Sequence, residues 1–86
     1  MLSPQVGPED EDRLKRESTA RIQKTEEIIV RIDEKKLSKE QQDTFSTIQS
    51  FLVNAKEAVV AKDFLRAFNL ADKAQILTED LFRKLQ

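Results

Sequence analysis

From Phe45 to Leu85 the apolar residues recur at intervals of three and four, the period of one face of a helix. The pattern pauses only at Ala61-Lys62-Asp63. Before the pause one line runs Phe45, Ile48, Leu52, Ala55 and Val59, with Phe51 and Ala58 beside it. After it the line runs Phe64, Ala67, Leu70, Ala71, Ala74, Leu77, Leu81 and Leu85. Two helices folded back on each other are expected, with Asp63 as the N-cap of the second. So short a turn implies antiparallel pairing of Ala58 by Ala67, Ala55 by Ala71, Phe51 or Leu52 by Ala74, Ile48 by Leu77, and Phe45 by Leu81. The hairpin is then small near its turn and large at its open end. Alanine facing alanine brings helix axes toward the close end of the usual range of about 8–10 Å.

Upstream, Leu14, Ser18, Ile22, Thr25, Ile29 and Ile32 form a second helical seam, broadened by Ile28 and Val30 near its end. Acid-first pairs, Glu17 with Arg21 and Glu27 with Arg31, are expected to add about 0.3–0.5 kcal/mol each. Ser38 followed by Gln41 fits a capping box and marks the next helix start. The expected fold is all-α, an antiparallel three-helix bundle in which a long first helix packs on a C-terminal helical hairpin. Its helices span 9–36, 39–61 and 64–85 in a single domain over 9–86. Residues 1–8, with both prolines and the only glycine, are expected to form a disordered tail or tether. The seam on the first helix also fits an extended helix that pairs with another copy.

Composition supports helix: one Gly, two Pro and no Trp or Tyr accompany 36% charged residues. With 86 residues the chain buries only about 60–65% of its unfolded surface, so the core must be thin. Fifteen basic residues against sixteen acidic ones leave a net charge of −1, with no global field to gather nucleic acid or an anionic surface. The acidic Glu9-Asp10-Glu11-Asp12 suits a helix start, and Lys35-Lys36 suits the opposite end of the first helix. No 7–15-residue apolar run of a signal peptide and no membrane span of about 18 apolar residues occurs.

The chemical inventory is narrow. With no His and no Cys, the chain lacks the commonest general base, the Ser-His and Cys-His arrangements and a thiolate metal site. Glu26-Glu27 and Asp33-Glu34 diverge around a helix rather than converge on a cation, and a single Gly rules out phosphate-binding loops. No enzyme, no metal and no cofactor are expected. Arg13, Arg16, Lys24, Arg31 and Lys35 could draw a basic stripe, but acids interleave and no aromatic is available there for stacking, so no nucleic acid is expected as a partner. The candidate interaction residues are Leu14, Val59 and Val60, where the first helix covers the hairpin thinly, with Phe68 and Phe82, which lie off the main seam and suit either core or a contact patch.

Ala61-Lys62-Asp63-Phe64-Leu65-Arg66-Ala67, followed by Ala71 and Ala74, is similar to the inter-helix turn of a single tetratricopeptide repeat, with Lys62 where glycine is usual. Arg31-Ile32-Asp33, Leu37-Ser38-Lys39-Glu40-Gln41-Gln42, Thr47-Ile48-Gln49-Ser50-Phe51-Leu52, Ala55-Lys56-Glu57-Ala58 and Asn69-Leu70-Ala71-Asp72-Lys73-Ala74 resemble the C-terminal helical region of uncharacterised bacterial envelope lipoproteins. That resemblance implies a non-catalytic module for protein–protein interaction or cell-envelope organisation. It also implies a place in the cell envelope or periplasm, with any membrane attachment through an upstream lipid anchor. The alternative is a cytosolic adaptor or regulator, cytoplasmic if Met1 is the true start, that forms a homodimer through helix 1 and binds a partner helix.

Overall fold

The computed structural model describes residues 7–86, and among these there are three α-helices, one short 3-10 turn and no strand. Helix α1 spans Pro8–Ile29, the 3-10 turn Glu34–Lys36, α2 Lys39–Val60 and α3 Phe64–Lys84. The fold is an all-α three-helix bundle. Residues 1–6 of the expected tail lie outside the described residues, and Pro8 already opens α1 behind Gly7, with Glu9, Asp10 and Glu11 in the first turn.

The first helix is shorter than its periodicity implies. It ends at Ile29 instead of continuing to Lys36, because Ile28-Ile29-Val30 is a β-branched run that loses side-chain freedom in a helix. Asp33 then offers the backbone a competing partner: its carboxylate accepts the Lys35 N–H at 3.1 Å and caps the 3-10 turn. Lys35 and Lys36 therefore sit in that turn, and α1 has no basic residue in its last turn. The break turns both Ile32 and Leu37 into the core.

The hairpin starts and stops where its local chemistry dictates. At Ser38 the capping box is complete: the Gln41 N–H donates to Ser38 Oγ at 3.2 Å, and the Ser38 N–H donates to Gln41 Oε1 at 2.9 Å. Helix α2 closes with a Schellman motif, in which the Lys62 N–H donates to Val59 O at 3.0 Å and the Asp63 N–H to Ala58 O at 2.8 Å. That motif needs a left-handed residue, and Lys62 takes it with φ 62°. Asp63 then caps α3 by accepting the Arg66 N–H at 3.3 Å.

Helix α3 is the centre of the bundle, packing extensively on both α1 and α2, whereas α1 and α2 touch each other little. Side-chain size explains this. Ala67, Ala71 and Ala74 are fully buried and let both neighbours approach closely, while the larger Ile29 and Leu52 line the gap between α1 and α2. On α2 the buried positions are Phe45, Ile48, Leu52, Ala55 and Ala58, and on α3 they are Ala67, Ala71, Ala74, Thr78 and Leu81, so the small residues of both helices lie toward the turn as expected. Thr78 is fully buried beside Leu77, which is half-buried and packed against the core.

The register of α1 on α3 is shown by cations of α1 and of the segment just after it, which lie over aromatic rings of α3. Lys15 Nζ sits 6.0 Å from the Phe64 centroid, the Arg21 guanidinium 4.9 Å from Phe68 and that of Arg31 6.0 Å from Phe82. The two helices therefore run parallel, and the buried Ser18, Ile22 and Thr25 lie level with Ala67, Ala71 and Ala74. Since Lys15 already stands over the first residue of α3, the turns of α1 before Leu14 lead past the hairpin, which draws the molecule out to 50 × 21 × 20 Å. The first helix is thus laid along α3 and does not span the hairpin evenly.

Candidate interaction surface

The five residues singled out from the sequence do not form one surface. Leu14 is half-buried at the level of the hairpin turn, while Val59 and Val60 end α2 just below it, Val59 against the core and Val60 83% exposed. Phe68 and Phe82 are half-buried on α3, about 21 Å apart along the helix; the guanidinium of Arg21 in α1 lies over Phe68, and that of Arg31, just beyond the end of α1, over Phe82. Arg21 is pulled across for this purpose. It sits 3.8 Å from Asp72 and donates to Gln75 Oε1 at 3.3 Å, and Glu17 pairs instead with Arg13. The expected Glu17–Arg21 and Glu27–Arg31 pairs are not among the ion pairs of the described residues.

The surface that periodicity did not reveal is the side of the bundle where α1 and α2 stand apart. A shallow groove of about 500 Å³ runs there, floored by Ile29 and Leu52 and bordered by Val30 and Val53. Val30 is 82% exposed and Val53 54% exposed. Val60 continues the Val53 line of α2 toward the turn. At one level the groove is bridged by an ion pair from Glu26 on α1 to Lys56 on α2, with Gln49 beside it. Both charged groups are half-exposed, so the bridge adds little stability; it leaves one wall acidic and the other basic.

Elsewhere Leu65 and Ile76 of α3 are also exposed, 52% and 57%, but neither lines the groove. A smaller depression of about 230 Å³ lies between the start of α2 and the end of α3, lined by Ser38, Gln41, Asp80 and Lys84 among others. There the Lys84 ammonium, at 3.0 Å, and the Arg83 guanidinium, at 2.6 Å, hold the Asp80 carboxyl below its ordinary pKa by hydrogen bonding. Among the described residues no group of three or more His, Cys, Asp or Glu is placed to hold a metal ion. No described helix is long and apolar enough to cross a membrane.

Two buried hydroxyls stand out in the core. Thr25 and Thr78 are fully buried, yet neither Oγ1 has a hydrogen-bond partner among the described residues. Ser18, the third buried polar side chain, donates to Leu14 O at 2.6 Å.

The helices and their one open side define a small all-α bundle with a shallow apolar groove. Comparison with family models, with curated proteins and with solved structures gives no match.

Proposed function

We propose that this chain is a non-catalytic helical module for protein–protein interaction or cell-envelope organisation. The observation that carries the reading is the α1–α2 groove. Of the three helix pairs, two are closed by buried alanines on α3, and the third exposes Val30 and Val53 over Ile29 and Leu52. Apolar side chains bordering a groove between two helices are the form in which helical modules receive another helix. The envelope setting rests on the resemblance to envelope lipoproteins alone. The adaptor reading, with dimerisation through the helix 1 seam, is less well supported, since Ser18, Ile22 and Thr25 on that seam are already buried against α3.

A photo-reactive residue at position 53, introduced in the native host, tests the interaction. A discrete cross-linked adduct from position 53, absent from the exposed position 69 on α3, is the expected result. No adduct from position 53 overturns the reading. Cell fractionation tests the setting, with recovery in the envelope expected and recovery in the cytosol counting against it.

A further inference from the structure

The geometry points to a second copy of this chain as the occupant of the α1–α2 groove, paired about a two-fold axis parallel to the helices; this rests on the interaction reading and names its partner. The argument is self-complementarity. Helices α1 and α2 run antiparallel, so the Glu26–Lys56 bridge and the Val30–Val53 border each mark one level of the groove, with one member on each wall. Rotation about an axis along the groove lays α1 of one copy over α2 of the other without changing height. Glu26 then meets the second copy's Lys56, and Lys56 meets its Glu26, an alternating square of charges. One turn further along, Val30 meets the second copy's Val53 and the reverse, closing an apolar layer over Ile29 and Leu52.

The other two-fold arrangement, with its axis across the groove at that level, is disfavoured by the same charges. It would set Glu26 on Glu26 and Lys56 on Lys56, and like charges brought together suppress a pairing. The favoured arrangement makes a four-helix layer from α1 and α2 of both copies, with each α3 outside. The contact covers only about 6 Å of one wall, Glu26 to Val30, and about 10 Å of the other, Gln49 to Lys56. So short a contact belongs with small, transient interfaces, and the pair is weak and concentration-dependent.

Sedimentation equilibrium from 10 µM to 1 mM, on the order of the range such weak contacts need, tests this directly. The wild-type chain is expected to pass from monomer toward dimer. Glu26→Lys alone and Lys56→Glu alone each set like charges across the interface and should weaken self-association by about tenfold or more. An equimolar mixture of these two variants should associate as the wild type does, because the lysine introduced at position 26 of one copy then meets the glutamate introduced at position 56 of the other. The doubly swapped chain, which keeps the bridge within each copy, should also self-associate, and its helical circular dichroism controls for folding. Val53→Lys should remain monomeric. A wild-type chain still monomeric at the highest concentration, single variants that associate like the wild type, or a mixture that does not associate overturns the proposal. A foreign protein as the sole adduct at position 53 overturns the second copy but leaves the interaction reading standing, whereas no adduct at all removes both.

Discussion

Replacing Ala71 by leucine adds an isopropyl group at the point where all three helices come closest. Ala71 is fully buried, level with Ala55 on α2 and with Ile22 on α1, so the added carbons have no free direction and must push at least one seam apart. Overpacking of this kind costs about 1–3 kcal/mol. For a domain of this size a loss of about 2 kcal/mol lowers Tm by roughly 8–16 °C. The assay is thermal denaturation followed by far-ultraviolet circular dichroism, with Ala20→Leu on the exposed face of α1 as a control expected within about 0.5 kcal/mol of wild type. If Ala71→Leu melts with the wild type, α3 is not the crowded centre of the bundle and both helix registers are wrong.

Other substitutions probe single features. Thr25→Val and Thr78→Val each replace a buried, unpartnered hydroxyl by a methyl group of similar shape and should stabilise by about 1 kcal/mol in urea denaturation; destabilisation would show that the hydroxyls are partnered in solution. Lys62→Gly relieves a left-handed residue and should stabilise by about 0.5–1 kcal/mol, with an unchanged or lowered urea midpoint counting against the Schellman turn. Ser38→Ala removes one half of the capping box and should cost about 1 kcal/mol. Asp80 has a folded-state pKa lowered by Lys84 and Arg83. Its contribution is present above its ordinary value of 3.8 and is lost as pH falls through the lowered one. Asp80→Asn should therefore lower stability slightly at neutral pH and leave it unchanged below the lowered pKa, which flattens the acid limb of the stability–pH curve; an unaltered acid limb would refute the coupling.

The hairpin was legible because its signals are local. Ser38 with Gln41, Asp63 before Phe64, and the alanine and leucine spacing on both sides of Lys62 each carry their meaning within a few residues. The end of α1 was less so, since Ile28-Ile29-Val30 satisfies the apolar period while disfavouring the helix that the period implies. Thr78 was missed because a polar residue on an apolar line reads as surface, although its neighbours close over it completely. Helix spacing pairs Arg21 with Glu17, and the tertiary partners Phe68 and Asp72 won instead. The groove follows from relative side-chain size on three helices at once. Alanines draw α3 toward both neighbours, and the larger Ile29 and Leu52 leave α1 and α2 apart, which no single helix pattern displays.

All of this rests on α3 being shared by α1 and α2 while those two leave a groove between them. Methyl-resolved nuclear Overhauser spectroscopy on the dilute monomer measures that arrangement directly. The Ala71 and Ala74 methyls should show cross-peaks to Ile22 and Thr25 of α1 and to Leu52 and Ala55 of α2, while the methyls of Val30 and Val53 show none to α3. Cross-peaks from Ala71 to α2 alone would detach α1 from the seam and contradict the account.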